Sequence, residues 1–374
     1  MKLFPFETSQ DDGFVRKLGF IDATGNLVIE QKYSWSAYSH FNKHGYCVVN
    51  TDVNWSQAVI NHEGATLFTL PKGYFNFVMW PPDTHGILPV EHRLDNNDPK
   101  AYEMQGRDRA YIGRVRHYGI NLSGGIVFEK KFSFGTDGYY QLEEPPQNGK
   151  KRCLGIINHE GEVTVPAEFE WMSWSRTDQC VSVIRDGLFG VIDYYGREII
   201  PISHEVRGFQ DISASKDGVT VYFDRSKGKC VSVNLEGQLL AELPTTYWSR
   251  TFPQACPTLS DGLMKITEGK GAREGQSYYV DAHGKYPMRG FWNKPKKFDP
   301  ECRLGYFNDG LATYRVDNLS GYIDKSGAVT IDAQYESAGN FTNGLAKVFP
   351  TKDDRFKQRY RYINTDGVVV AQNY

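Results

Sequence analysis

Apolar and polar positions along this chain follow one short cycle. An apolar run ends in Ile or Val, an Asp or Asn follows, then two variable residues and Gly, and a second apolar run begins. The cycle occurs nine times, with its Asp/Asn and Gly at Asp22…Gly25, Asn61…Gly64, Asn121…Gly124, Asn158…Gly161, Asp193…Gly196, Asn234…Gly237, Asp281…Gly284, Asp324…Gly327 and Asn364…Gly367. β-Branched residues are stiff at χ1 and pack well on a pleated surface, so each first run reads as the end of a strand. Asp and Asn bond their own backbone two residues on, and Gly supplies positive φ without a steric penalty. Asp/Asn-x-x-Gly between apolar runs is therefore a tight hairpin turn. The strand after the turn is Leu27-Val28-Ile29, Ile126-Val127-Phe128, Val163-Thr164-Val165, Ile199-Ile200, Val329-Thr330-Ile331 or Val368-Val369-Val370. Pro166 and Pro201 are expected to close their strands, because proline cannot donate to a ladder. A further strand precedes each hairpin, announced by a Gly at Gly45, Gly262, Gly310 and Gly344. Each unit is a meander of three or four strands, about 43 residues long.

The clearest units are 186–201 and 308–341, and both resemble the bacterial WG repeat, whose pattern is roughly GLA-V, WGYID-x-x-G, then VIP-x-x-Y-D-x-A-x-x-F. The resemblance covers nearly the whole chain. It departs at the Trp of the WG pair, whose position carries Leu18, Gln57, His117, Leu154, Phe189, Cys230, Ser277, Ser320 and Tyr360. The Gly of the pair survives as Gly19, Gly155, Gly190 and Gly321. The resemblance implies a diverged repeat array that serves protein interaction, in its most specific form an immunity partner of a secreted toxin, and it implies no enzyme chemistry.

Pattern and resemblance together predict an all-β fold of nine tandem β-meander units, with approximate limits 1–40, 41–80, 81–137, 138–175, 176–210, 211–255, 256–300, 301–341 and 342–374. The layout within a unit parallels a propeller blade, so the expected architecture is one array over 1–374, a propeller-like ring or strongly curved stack. An open superhelical β-solenoid is the alternative.

Two places break the cycle. The interval from Gly64 to Gly124 is the longest, and its surplus includes Trp80 and the charged stretch 91–109, with Arg107 and Arg109. The segment 268–275 reads as a flexible charged hairpin tip, and beyond it 289–298 interleaves Arg289, Trp292, Lys296 and Lys297 with aromatics. Insertions in repeat arrays map to loops that carry binding, so these seven residues are the candidate partner contacts. Surface loops with one tucked-in Trp are the competing reading. Trp35, Trp171 and Trp248 recur 10 or 11 residues after a phrase Gly, with Trp174 close behind, which predicts one shared edge. Packing between units or an exposed aromatic strip for a glycan would each explain it.

Composition narrows the function classes. With 43 basic and 45 acidic residues there is no cationic excess to hold a phosphate backbone, so nucleic acid is not expected. The six cysteines are dispersed without a CxxC pair and are expected as reduced thiols. The N-terminus turns polar too soon for a secretory signal, and no apolar run is long enough to span a bilayer. A soluble cytoplasmic protein without membrane contact is the expectation. His62 and His159 stand in Asn-His-Glu-Gly, but Thr66 and Val163 occupy the second His position that a zinc helix would need. Five of the nine phrase residues are Asn, which suits turns and not acid catalysis. Neither a P-loop nor a GxSxG is present. No cofactor, metal or catalytic residue is expected. The leading function is a non-enzymatic protein-interaction scaffold; a lectin-like module and a hydrolase with a central-channel site are the alternatives.

Overall fold

The computed structural model describes residues 2–7, 16–34, 39–51, 56–76, 80–94, 102–105, 108–111, 115–136, 138–145, 153–175, 177–246, 255–267, 277–287 and 303–373. Two compact units divide the chain, Met1–Glu168 and Phe169–Tyr374. Both are built from small antiparallel meanders whose strands pair in chain order. The only helical pieces among the described residues are a five-residue helix, Lys352–Phe356, and a short 3-10 turn, Phe209–Asp211. No helix of the described residues is long and apolar enough to cross a membrane.

The first unit holds a two-stranded hairpin, Tyr102–Gln105 with Asp108–Tyr111, and three larger sheets that carry four phrases. Its first sheet has six strands, because the two opening meanders (Phe4–Glu7, Lys17–Ile21, Leu27–Ser34 and Cys47–Asn50, Gln57–Ile60, Thr66–Thr69) are joined by the single pair Ser34–Asn50. The second comprises Tyr74–Phe75, Leu88–Arg93, Val115–Ile120 and Ile126–Glu129; the third, Phe132–Thr136, Tyr139–Glu144, Cys153–Asn158 and Val163–Phe169. In the second unit, sheet four is Trp171–Trp174, Cys180–Arg185, Leu188–Asp193 and Glu198–Glu205. Sheet five is Ile212–Lys216, Val219–Asp224, Lys229–Asn234 and Leu239–Leu243. Sheet six is Leu259–Ser260, Leu263–Thr267 and Ser277–Val280. Sheet seven is Arg303–Leu304, Leu311–Val316, Leu319–Asp324 and Val329–Tyr335; sheet eight is Ser337–Ala338, Leu345–Phe349, Arg361–Asn364 and Val369–Gln372. Nine phrases thus occupy eight sheets among the described residues.

All nine phrases close the same turn. The Gly N–H donates to the Asp/Asn carbonyl at 2.9–3.2 Å, and the Asp/Asn N–H donates to the carbonyl four residues on at 2.9–3.1 Å. The side-chain Oδ1 accepts the N–H of that same residue at 2.8–3.0 Å. Every phrase Gly has positive φ, from 70° at Gly284 to 89° at Gly25. A carboxylate and an amide oxygen serve this cage equally, which is why Asp and Asn alternate freely.

Packing occurs between consecutive meanders. Phe189, Val191 and Ile200 of sheet four meet Ile212, Tyr222 and Val231 of sheet five. Further clusters join sheets five and six, six and seven, and seven and eight, and the first unit repeats the arrangement. The position vacated by the family Trp is buried in seven of the nine units, with Leu18, Phe189, Cys230 and Tyr360 having no exposed surface, and partly exposed at His117 and Ser277.

The surviving WG glycines mark a second structural class of unit. Where Gly19, Gly190 and Gly321 stand, the outer strand carries two extra residues: Leu18 pairs Tyr33 and Phe20 pairs Ile29, and the pairs Phe189–His204/Val191–Ile200 and Ser320–Tyr335/Tyr322–Ile331 repeat the offset. The bulge passes over the glycine so closely that a Cβ would lie 2.4 Å from Ile29 O at Gly19, 2.4 Å from Val165 O at Gly155 and 2.4 Å from Ile331 O at Gly321. The four units with this Gly have outer strands of seven or eight residues; the other outer strands have four or five. Pro166 and Pro201 therefore do not close their strands. They lie inside Val163–Phe169 and Glu198–Glu205, Pro201 within the bulge, where no ladder N–H is required.

Candidate functional site

The first two strands of each meander in the second unit are joined by a two-residue turn whose members both have positive φ: Asp217-Gly218, Asp261-Gly262, Asp309-Gly310 and Asn343-Gly344. This is the type I′ geometry that such dipeptides favour. In sheet four Gln179, at φ 48°, stands where the others have Gly. These turns are tied to one another. Asp178 Oδ1 accepts from Gly218 N at 2.9 Å, Asp261 Oδ2 from Gly310 N at 2.7 Å, and Asp309 Oδ2 from Gly344 N at 2.8 Å. Charge-assisted bonds of this kind are roughly twice as strong as neutral ones and fix one sheet's register against the next.

The strands leading into these turns surround a cavity of about 430 Å³. One repeat position, three residues before the turn Asp or Asn, lines it as Ala214, Thr258, Tyr306 and Asn340. A second, one residue before the turn, adds Lys216, Ser260 and Asn308, and Trp174 completes the wall from sheet four. The residues between these positions are buried, Leu259, Phe307 and Phe341 at most 3% exposed, with Ser215 and Leu259 also bordering the cavity. Alternation along a strand thus separates a packing face from a cavity face whose chemistry differs from sheet to sheet.

The segment bearing Tyr306 is held from three sides. Ser260 Oγ donates to Phe307 O at 2.7 Å, Tyr279 OH to Gly305 O at 2.7 Å, and Lys265 Nζ to Leu304 O at 3.0 Å. The Lys265 ammonium also lies 4.6 Å from the Tyr306 ring centroid, and burial lowers its pKa. Burial likewise raises the pKa of the Tyr306 phenol. The indole N–H of Trp174 is buried with no hydrogen-bond partner. No carboxylate belongs to the described lining, so the wall offers donors and rings and no acid–base pair.

The residues singled out from the sequence lie elsewhere or beyond the described chain. Trp80 is half-buried, its carbonyl accepting from Asn76 Nδ2 at 2.6 Å and its N–H donating to Asn76 Oδ1 at 3.1 Å. Arg109 falls on a two-stranded hairpin, Tyr102–Gln105 with Asp108–Tyr111, where a loop was expected. Arg107, Arg289, Trp292, Lys296 and Lys297 lie outside the described residues, as do Trp35, Trp55 and Trp248. Trp171 and Trp174 do not share an edge: three apart on one strand they face opposite sides, and Trp171 packs on the core between sheets four and five. His159 stacks face to face on His85 at 3.5 Å, an arrangement that cannot aim two nitrogens at one metal ion. Among the described residues no cluster of His, Cys, Asp and Glu has metal-binding geometry. The cavity was missed because its residues differ in type; the available signal was the Asp-Gly and Asn-Gly dipeptides, which set the phase of its walls.

Small four-stranded antiparallel meanders packed in series define a protein of β-propeller type. The sequence profile of the WG-containing repeat matches residues 19–55 and 321–349, so the chain carries WG-type repeats in these two stretches. No curated protein matches the chain. Its fold is similar to that in the crystal structure of a eukaryotic initiation factor, at 11% identity over 98% of this chain and 94% of that one, with a TM-score of 0.57. Apo AztD from Citrobacter koseri is 10% identical over 100% of this chain and 95% of that chain, with a TM-score of 0.39. For the tricorn protease the identity is 11% over 98% of this chain and 39% of that one, with a TM-score of 0.25. The first likeness concerns fold alone, and the other two carry no argument.

Proposed function

We propose that the chain is a non-enzymatic scaffold that binds another protein, and that this partner is a secreted toxin which the scaffold neutralises. One observation carries the reading. Five residues after the phrase Asp/Asn, seven units hold an exposed apolar residue: Leu27, Ile126, Val163, Leu239, Tyr286, Val329 and Val369, each 42–55% exposed. Single exposed apolar residues are ordinary, but a recurrent one at a fixed phase offers apolar contact points on successive sheets within each compact unit, three in the first and four in the second. Folding does not demand it, since Thr66 and Glu198 fill the same position in the other two units. The irregular insertions, with Trp80, Arg107, Arg109, Arg289, Trp292, Lys296 and Lys297, supply specificity in this reading.

The test pairs the chain with the product of a toxin gene adjacent to its own. A stoichiometric complex and loss of toxicity are expected. Replacing Leu239, Tyr286, Val329 and Val369 together by Ser should abolish both while leaving the thermal midpoint nearly unchanged. A quadruple variant that still binds and neutralises, or a wild-type chain that binds no neighbouring gene product, overturns the reading.

A further inference from the structure

We propose that the cavity of the second unit is a binding site for a sugar acid, a saccharide of one or two rings bearing a carboxylate. Its volume, about 430 Å³, lies within the roughly 300–1,000 Å³ typical of small-molecule sites.

The hydrogen-bonding inventory selects the ligand. Two of the wall hydroxyls are committed: Ser260 bonds Phe307 O, and Ser215 bonds the Thr220 hydroxyl. Asn308 gives one amide hydrogen to Tyr306 O at 3.2 Å. What remains open is the Lys216 ammonium, the Asn340 amide and the Thr258 hydroxyl, none of which bonds another described residue, while Trp174 contributes its ring. This set is rich in donors, so it suits a ligand rich in acceptors.

Charge gives the second criterion. Lys216 is half-buried and forms no ion pair among the described residues. The neighbouring turn carboxylates are engaged: Asp178, Asp261 and Asp309 each accept a backbone N–H of the following turn, and Asp261 also meets Lys325 Nζ at 3.1 Å. A carboxylate on the ligand would be the free counter-ion for Lys216. Shape gives the third. Trp174 and Tyr306 stand on different sheets of the wall, and Tyr306 is braced from behind by Lys265. Rigid aromatic faces beside a few placed donors are the requirements for holding the C–H face of a pyranose while its oxygens are read.

The full chain, labelled with 15N, is titrated with D-glucuronate, D-galacturonate, D-glucose and D-galactose while its indole N–H resonances are followed. One cross-peak, identified by its absence in Trp174→Phe, should shift saturably with at least one uronate. That uronate should bind at least about five-fold tighter than its neutral hexose, a gap the Lys216→Met variant should reduce to within about two-fold. Trp174→Phe, which shrinks the ring face, should weaken the uronate about five-fold or more, followed through the backbone amide cross-peaks because its own indole peak is gone. Far-UV circular dichroism establishes that both variants are folded. Absence of a saturable shift of that peak with both uronates up to about 20 mM overturns the proposal, since even weak sites reach millimolar affinity. So does equal affinity for acid and hexose, or an affinity that neither substitution changes.

Discussion

Replacing Gly321 by Ala tests the bulge argument most directly. Its Cβ would stand 2.4 Å from Ile331 O and 2.7 Å from Ala333 N, where ordinary contact begins near 3.4 Å. The obstacle is backbone, so no rotamer change relieves it, and the outer strand must lift by about 1 Å. That strand is pinned on both sides of the bulge by Ser320–Tyr335 and Tyr322–Ile331. Overpacking costs about 1–3 kcal/mol, and a weakened ladder bond adds about 0.5–1.5 kcal/mol, so a loss of about 3 kcal/mol is expected. Two controls isolate the cause. Gly187→Ala meets nothing within 4 Å but sits at φ +75°, so it carries only the left-handed penalty of about 1–2 kcal/mol. Ala58→Gly reverses the substitution where the partner strand has no extra residues opposite it, since Ala58 simply pairs Thr69, and should cost about 0.5–1 kcal/mol. Urea unfolding followed by circular dichroism ranks the three, and amide exchange should localise the Gly321→Ala loss to sheet seven and its neighbours. A Gly321→Ala cost below that of Gly187→Ala would refute the reasoning.

Two other perturbations have defined outcomes. The Asp324 carboxylate is held below its ordinary pKa by the Ser326 hydroxyl, partly offset by burial and reinforced by backbone N–H groups. A depressed carboxyl contributes stability that is present above its unfolded value and lost as pH falls through the folded one. Asp324→Asn, which reproduces the Asn364 cage, should therefore leave stability at pH 7 within about 0.5 kcal/mol and remove part of the loss seen below about pH 4, whereas Asp324→Ala should cost about 1 kcal/mol at both; identical pH profiles for wild type and Asp324→Asn would contradict this. Cys47, Cys153, Cys180, Cys230 and Cys256 are all buried thiols, Cys180 is pushed up to about 11 by burial, and burial also raises Cys47 and Cys256. In a Cys302→Ser background a disulfide reagent at pH 8 should leave all five unmodified until denaturant is added, and rapid reaction in native buffer would show the cores to be open.

The nine turns were legible because their cause is local. Asp22 or Asn61 closes its cage with its own next four residues, so the pattern predicts the corner without knowledge of what packs on it. The same holds for the strand order within a meander, since short connections leave consecutive strands no other neighbour. Pro201 was misjudged because its missing N–H lies in a bulge, and a bulge is a relation between two strands rather than a property of one. Trp171 and Trp174 share a phase with other tryptophans along the chain, yet alternation along their strand sends them to opposite faces. The seven apolar residues five positions after the turn could be counted in the sequence, but their exposure depends on which face of each outer strand the next meander covers. The cavity belongs wholly to tertiary structure. Ala214, Thr258, Tyr306 and Asn340 have no chemistry in common, and only the stacking of sheets brings them together, five on six through their shared apolar core and six to eight also through the Asp261–Gly310 and Asp309–Gly344 bonds. Local hydrogen bonds write themselves into sequence at fixed spacing, whereas convergence of distant side chains depends on how successive sheets pack, which no short window of the chain contains.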